Sequence, residues 1–187
     1  HSYSHNLDNP DEEFEIKKSK SAYVEYFGKS PLGYRSPRGV IDEKGLKLLD
    51  SEKFKFDSSI YPTFVPGRYN NLKYPDEPFV FKDMGLMELP FSIIPLAKIP
   101  LAMGYLQPLG KNVMKGLIKT FKLPEIIVFD FHMWNLYNPK QIEKLPLKYQ
   151  ILLARNLDKG MEMFEHIVKT LKYQGYNSIN MEELYNK

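Results

Sequence analysis

The most apolar stretch of this chain, residues 84–109, is interrupted by four prolines and carries two charged side chains. Proline has no backbone N–H and disrupts a helix interior, so this stretch cannot form a membrane-spanning helix. Its pattern predicts short strands and turns instead. The interrupting residues are Pro90, Pro95, Pro100 and Pro108, and the charged residues are Glu88 and Lys98.

Helical and strand-like patterns alternate along the rest of the chain, without an internal repeat. We predict a first helix from the acidic start at residues 8–13 to Gly28, and a second over residues 42–53 with Asp42 as its N-cap. Residues 125–132 (EIIVFDFH) predict a strand buried on both faces, and residues 147–173 predict the last long helix. This alternation indicates an α/β fold, with either an open sheet or a barrel.

Composition excludes several classes of function. The 187 residues suit one sizeable domain, and a net charge of +3 is too small to argue for nucleic acid as a partner. The absence of cysteine excludes disulfides, Cys-based zinc sites and a thiol nucleophile. No signal peptide or transmembrane helix is visible, so a cytoplasmic and a cell-surface-associated location both stay open, as does the oligomeric state.

Two of the four histidines, His1 and His5, lie in the opening segment His-Ser-Tyr-Ser-His. On a helical turn this spacing brings both imidazoles to one side, where they can share a divalent ion at roughly 2.0–2.1 Å each. The alternatives are a solvated polar terminus or the remnant of a tag. His166 lies off the apolar stripe of the last helix and is predicted to be a solvated surface residue.

His132 and Arg35 are the other candidates for chemistry. His132 ends the predicted 125–132 strand, and ligands collect at such strand ends in α/β folds, although a core histidine bonded to a carbonyl is the alternative. Arg35 follows a short strand in a turn rich in proline and glycine. A guanidinium there is suited to bidentate binding of a carboxylate, or it is an ordinary surface arginine.

Taken in order, these motifs resemble those of the polysaccharide deacetylase (NodB-homology) family over nearly the whole chain. His1 and His5 match the family's second motif, Arg35 and Pro37 match Arg-x-Pro in the third, and His132 matches the last. The segment Phe-Asp-Ser-Ser-Ile-Tyr-Pro at residues 56–62 belongs to the same resemblance. Three further segments resemble one branch of the family: Glu88-Leu89-Pro90, Gly104-Tyr105 and His132-Met133-Trp134-Asn135. In that branch, proline and glutamate stand where this chain has Met133 and Asn135, which leaves the substrate preference open.

The resemblance implies a distorted (β/α) barrel of about seven strands. The family's first motif, an Asp-Asp pair, is absent. We therefore expect residues 1–187 to be one deacetylase domain that lacks an upstream segment and is incomplete at its first strand. The implied activity is the metal-dependent removal of N-acetyl groups from an amino sugar in a polysaccharide, oligosaccharide or lipid-linked sugar. Zinc is the expected ion, with Co²⁺, Ni²⁺ or Fe²⁺ as alternatives, held by His1, His5 and an Asp of the missing motif.

The family mechanism assigns further roles by the same resemblance. His132 protonates the departing amine, and the backbone N–H of Arg38 stabilises the oxyanion. Arg35 orients the catalytic base, which is the other Asp of the absent first motif. Glu88 is expected to keep His132 charged. Asp57 either supports the site from behind or caps its strand. The residues expected to wall the sugar site, or else to pack as ordinary aromatics, are Tyr105 and Trp134.

Two other functions remain compatible with the sequence. One is hydrolysis of another, cyclic amide on the same scaffold, and the other is a carbohydrate-binding relative without catalysis. A row of lysines on the helix predicted over residues 110–122 is either solvated or a contact for an anionic membrane. These lysines are Lys111, Lys115, Lys119 and Lys122.

Overall fold

The computed structural model describes residues 1–6, 11–137, 140–147, 150 and 154–187. These residues form two compact units, the first of residues 1–91 with 181–187 and the second of residues 92–180. Within the described part of the chain, no helix combines the length and apolar composition needed to cross a bilayer.

The first unit contains a four-stranded sheet with two helices. Asp11 and Asp42 are the N-caps of helices α1 (Glu12–Phe27) and α2 (Glu43–Ser51). The carboxylate of each accepts the backbone N–H of the residue three positions further along the chain. Gly28, with φ of 67°, ends α1 in the left-handed region, as the sequence predicts. Asp8, the start predicted for this helix, lies outside the described residues. Strands β1 (Gly33–Tyr34), β2 (Phe56–Asp57), β5 (Phe79–Val80) and β6 (Met87–Glu88) form the sheet.

The strand order in this sheet is β1-β2-β6-β5. The first three strands run parallel, with Tyr34 opposite Asp57 and Asp57 opposite Glu88, whereas β5 pairs with β6 antiparallel. The carboxyl ends of β1, β2 and β6 therefore meet at one edge. Strands β3 (Phe64–Val65) and β4 (Tyr69–Asn70) make a separate hairpin. The short helix α6 (Met181–Tyr185) returns to this unit, where Tyr185 contacts the ring of Phe56 at 5.8 Å.

The second unit is mainly helical. It contains the hairpin of β7 (Ile93–Ile94) and β8 (Ile99–Pro100), followed by α3 (Met103–Leu109), α4 (Lys111–Thr120) and α5 (Gly160–Tyr173). Each unit has its own apolar core, and each fully buried Leu, Ile or Met side chain stabilises it by roughly 1.5–3 kcal/mol. The first core includes Ile16, Tyr34, Leu46, Leu49, Phe54 and Leu86, and the second includes Ile94, Leu101, Met103, Leu106, Met114, Ile118, Met163 and Ile167.

The expected (β/α) barrel is wrong. In the described residues the strands are two residues long, the sheet ends on an antiparallel strand, and the two hairpins are separate from it. A barrel requires every strand to be paired on both sides. Prolines and glycines next to the strands explain the short ladders, because proline donates no ladder hydrogen bond and glycine weakens a strand. Pro90, for example, follows β6 by two residues.

Two local predictions in the second unit are also wrong. Residues 125–132 form no strand: they contain a single bridge, from Asp130 to Ala102, and only Val128 among them is buried. The predicted 147–173 helix is not continuous, because Asn156 adopts φ of 59° and α5 begins at Gly160. The part of that prediction on residues 148–149 and 151–153 lies outside the described residues.

Candidate functional site

The segment His1 to His5 forms bends and not the expected helical turn. The two imidazole ring centres nevertheless lie 5.0 Å apart. His5 has φ of 55°, a left-handed conformation that histidine tolerates better than most residues. The Nδ1 atom of His1 lies 2.6 Å from the backbone carbonyl oxygen of Arg35. Because a carbonyl only accepts, Nδ1 carries the proton, and the Nε2 atom of His1 keeps its lone pair for a ligand.

Contacts of Ser4 and Tyr3 attach this segment to helix α1. The backbone N–H and the hydroxyl of Ser4 donate to the two carboxylate oxygens of Glu15, at 2.7 and 2.5 Å. These bonds lower the pKa of Glu15, whose side chain is buried. The ring of Tyr3 meets Phe14 edge-on at 6.2 Å. No sequence pattern indicated the Ser4–Glu15 contact, because the pairing depends on how the segment folds back onto α1.

Arg35 follows β1 and is held by the residues at the end of β2. Its Nε and Nη2 atoms donate to the carbonyl oxygen and the hydroxyl of Ser58, at 2.9 and 2.8 Å. The guanidinium lies over the ring of Phe91, 4.3 Å from its centre. Ser58 also donates its hydroxyl to the carbonyl oxygen of Leu89, at 2.8 Å. Arg35 is thus fixed by protein groups, and its predicted contact with a carboxylate stays a prediction.

A cleft of about 650 Å³ lies beside β1, and His1 and Arg35 both line it. Tyr23, Tyr34 and Lys29 contribute to the same wall. This volume is within the range that accommodates a small ligand, and its aromatic and cationic lining is suited to polar, ring-shaped molecules. One histidine of the pair and Arg35 therefore line a common cavity in the first unit.

Glu88 and Asp57 lie behind this edge as a buried pair of carboxyl groups, each with 0% exposure. The Glu88 Oε1 atom accepts the N–H of Ile60 at 3.0 Å, and the Asp57 Oδ1 atom accepts the hydroxyl of Ser59 at 2.7 Å. Burial raises the pKa of Asp57 to about 6. Burial and the Asp57 charge raise the pKa of Glu88 well above its usual value. Burial therefore favours the protonated form over the ionised form at both carboxyl groups. The expected role of Glu88 toward His132 stays a prediction.

Arg38 lies in the turn after Pro37, with an exposed side chain and φ of 59°. The following Gly39 is also left-handed, with φ of 66°, and a Cβ atom there would lie 2.8 Å from the carbonyl oxygen of Ser59. Glycine is therefore required at position 39. The left-handed pair makes a tight turn that presents backbone groups at the end of β1, which suits the role expected of the Arg38 N–H.

His132, in the second unit, is exposed and begins a single 3-10 turn, Met133–Asn135. Its ring stacks on that of Trp134 at 5.4 Å. The side chain of Asn135 accepts the N–H of His132 at 2.8 Å and donates to the Gln107 side chain at 3.1 Å. Asn135 is fully buried. The side chain of Asn135 therefore fixes the turn that carries His132.

The rest of this turn is built around the same amide network. The Nε2 atom of Gln107 donates to the carbonyl oxygens of Asn135 and Asn156, at 3.1 and 3.2 Å. A Cβ atom on Gly160 would lie 1.8 Å from the Asn135 carbonyl oxygen, so α5 approaches the turn too closely for any other residue. Tyr105 and Trp134 are both half-buried, Tyr105 on α3. Their predicted contact with sugar stays a prediction.

The two histidines meet part of the requirement for a metal site. Imidazoles that bind one tetrahedral ion at about 2.0–2.1 Å place their ring centres roughly 5 Å apart, in agreement with the 5.0 Å between His1 and His5. A metal-bound histidine commonly donates its other ring N–H to a carbonyl, as His1 does. Across the described ranges, no group of three or more His, Cys, Asp or Glu side chains is arranged to hold an ion.

Comparison with known proteins gives one match. A family model described as "Domain of unknown function (DUF3473)" matches residues 58–180, more than half of the chain. This domain is associated with polysaccharide deacetylase-like proteins. Glu88, Tyr105, His132 and Trp134 lie inside the matched range, whereas His1, His5, Arg35 and Arg38 precede it. The search of curated proteins and the search of solved structures found no match.

Proposed function

Because this chain belongs to the DUF3473 family, we propose that it is a metal-dependent hydrolase that removes N-acetyl groups from an amino sugar. The sugar is expected to be part of a polysaccharide, an oligosaccharide or a lipid-linked precursor. The observation that carries the proposal is the pair of His1 and His5, with the Nδ1 atom of His1 bonded to the Arg35 carbonyl. The association of the family with polysaccharide deacetylase-like proteins supports the same reaction.

The donor set suits zinc, with Co²⁺, Ni²⁺ and Fe²⁺ as alternatives, because neutral imidazole binds all of these ions. His1 would bind through Nε2, the atom that its Nδ1 hydrogen bond leaves unprotonated. His5 would supply the second nitrogen. The resemblance assigns a third ligand to an Asp of the first motif, which this sequence does not contain. When bound, such an ion polarises the N-acetyl carbonyl and lowers the pKa of water.

The chain's own groups would position the substrate and move its protons. Arg35, whose side chain is held by Ser58 and Phe91, lines the cleft that His1 also lines. A guanidinium there would orient a carboxylate base without taking part in proton transfer, because it does not deprotonate in proteins. The Arg38 N–H, in its left-handed turn, would donate to the oxyanion that forms when the acetyl carbonyl is attacked.

His132 is proposed as the general acid, on the basis of the family resemblance. An amide nitrogen cannot leave as an anion, so its departure requires a proton donor. An imidazole is the side chain best able to supply that proton near neutral pH. The ring of His132 is exposed, and its stacking on Trp134 limits its rotation.

The proposed function is tested by measuring acetate released from N-acetylglucosamine oligomers by the zinc-loaded protein with the expected first-motif Asp pair in place. We expect release that stops on addition of a chelator and returns on addition of zinc. A cyclic amide, assayed in parallel, distinguishes the alternative hydrolase. Binding of the oligomers by folded, zinc-loaded protein, without release of acetate, would contradict the proposal and favour a carbohydrate-binding relative.

A further inference from the structure

The carboxyl groups of Asp57 and Glu88 occupy facing positions on the parallel strands β2 and β6. Neither side chain is exposed to solvent. Two buried carboxylates that were both ionised at this separation would repel each other without water to screen them. The pair has therefore to be stabilised by a proton or by donor groups.

Among the described residues, only one oxygen of each carboxyl group accepts a hydrogen bond. Asp57 Oδ1 and Glu88 Oε1 each accept one bond, from the Ser59 hydroxyl and the Ile60 N–H. The other two oxygens, Asp57 Oδ2 and Glu88 Oε2, are buried and meet no donor among the described residues. A single proton on Glu88 Oε2, donated to Asp57 Oδ2, satisfies both atoms at once.

We propose that Glu88 is a positioning residue, which shares one proton with Asp57 and thereby fixes the turn of residues 58–60 that holds Arg35. The importance of Arg35 for catalysis rests on the proposed function. The shared proton and the hydrogen bonds that fix the turn do not depend on it. The pair is not a catalytic residue set, because neither carboxyl group reaches the surface.

A continuous series of bonds joins the pair to Arg35. Glu88 holds the N–H of Ile60, and Asp57 holds the hydroxyl of Ser59. Between these two residues, Ser58 accepts both bonds from the Arg35 guanidinium. The Ser59 hydroxyl also accepts the N–H of Ser36, at 2.8 Å.

The same turn positions the ring beneath the guanidinium. The carbonyl oxygen of Ile60 accepts the N–H of Phe91 at 2.9 Å, and Phe91 lies under Arg35. Displacement of the turn would therefore move both the hydrogen-bond acceptors of Arg35 and its aromatic support.

Several charged and titratable groups surround the pair. Burial and the charge of Asp57 raise the pKa of Tyr34 on β1, and burial and the charges of Asp42 and Asp57 raise the pKa of Glu12 on α1. Arg35 supplies positive charge at the end of β1, where it is bonded to Ser58, the residue after Asp57. A change in the net charge of the pair is therefore expected to change the electrostatic potential at the carboxyl ends of these strands.

The test compares Glu88→Gln with Glu88→Leu. The amide of Gln accepts from Ile60 and donates to Asp57 without a titratable proton, whereas Leu leaves the Ile60 N–H and Asp57 Oδ2 without partners. Met87→Leu, a volume-conserving change on the same strand, is the control for packing. The readouts are the NMR signal and exchange rate of the Arg35 Nε–H, the unfolding equilibrium, and kcat for acetate release.

We expect Glu88→Gln and Met87→Leu to keep the slowly exchanging Arg35 Nε–H signal, and Met87→Leu to keep kcat within about threefold of the parent. Glu88→Leu should speed that exchange and lower kcat roughly 100-fold with little change in KM. A Glu88→Leu protein with an unchanged Arg35 signal would overturn the proposal. If neither the parent nor any variant releases acetate, the proposed function fails. The Arg35 signal then still tests whether Glu88 fixes the turn that holds Arg35.

The unfolding equilibrium gives a second readout that does not require a folded Leu variant. Folded Glu88 keeps its proton at a pH where the unfolded side chain is ionised, so the parent loses stability as pH rises. Above the ordinary pKa of a carboxyl group, the unfolding constant of the parent should rise more steeply with pH than that of Glu88→Gln. The expected difference is about tenfold per pH unit. Equal slopes would overturn the proposal.

Discussion

The Nδ1 atom of His1 donates to the backbone carbonyl of Arg35, 2.6 Å away. The same arginine uses its side chain to bind Ser58. One residue therefore links a histidine of the proposed metal pair, through its backbone, with the end of β2, through its guanidinium. The imidazole and the guanidinium are therefore positioned together. A change at the end of β1 or of β2 is expected to move both groups.

His1→Ala and His5→Ala should each lower zinc affinity by at least 100-fold, because each removes one of the two imidazoles of the pair. Loss of a group that only orients a ligand lowers metal affinity roughly 10–100-fold, and loss of a ligand itself is more severe. Isothermal titration calorimetry with zinc measures the effect.

His166→Ala is the control, because His166 lies on α5 beside Thr170 and outside the pair. It should bind zinc as the parent does. Unchanged zinc affinity in either variant of the pair would show that the histidines are not ligands.

Ser4→Ala should lower the free energy of unfolding by about 1 kcal/mol at neutral pH, because it removes the hydroxyl bond to Glu15. The pKa of Glu15 is lowered in the folded protein, so this contribution is present above the carboxyl's ordinary pKa and is lost as pH falls through the folded value. The difference from the parent should therefore shrink in acid. Denaturant titrations at several pH values measure it.

Ser21→Ala is the matched control. Ser21 lies on α1, the helix that carries Glu15, and its hydroxyl donates to the Lys17 carbonyl on the exposed face. It should show no acid-dependent difference. We also expect Ser4→Ala to weaken zinc binding about tenfold by releasing the histidine segment. An equal loss of affinity in both serine variants would refute this positioning role.

His132→Ala should leave zinc affinity within about threefold of the parent and lower kcat for acetate release by roughly 100-fold or more, because a general acid contributes about 10²–10⁴-fold. Steady-state kinetics and a zinc titration measure both effects. A His132→Ala protein with the parent's kcat would remove His132 from the mechanism.

Asn135→Ala should destabilise the second unit by about 1–3 kcal/mol, because the Gln107 amide and the His132 N–H both lose buried partners. Gly160→Ala should be more destabilising still, since its Cβ atom would overlap the Asn135 carbonyl oxygen. Thermal unfolding measures both changes. Gly116→Ala is the control, because a Cβ there meets nothing within 4 Å, and it should be neutral or stabilising.

The features that the sequence predicted correctly are those encoded by neighbouring residues. Asp42 caps α2 through a bond to Gly45, and Gly28 ends α1 in a left-handed conformation. Both depend on contacts within a few residues, where local chemistry decides the outcome. The pairing of His1 with His5 was also predicted, although bends and the left-handed His5, not a helical turn, bring the rings together.

The features that were missed depend on contacts between distant segments. Residues 125–132 have strand-forming side chains, yet Ser92 and Met103 bond to them without forming a ladder. Strand propensity reports the fit to a pleated surface and cannot supply the partner strand. Likewise, Asp57 and Glu88 become a pair only through the parallel register of β2 and β6.

The central claim is that His1 and His5 bind one divalent ion, with His1 oriented by the Arg35 carbonyl. Zinc titration of the protein, followed by the ¹⁵N resonances of the histidine side chains, tests it most directly. We predict that the Nε2 resonance of His1 shifts at one equivalent together with a resonance of His5, while His1 Nδ1 stays protonated. Zinc that binds without moving the resonances of both residues would contradict the account.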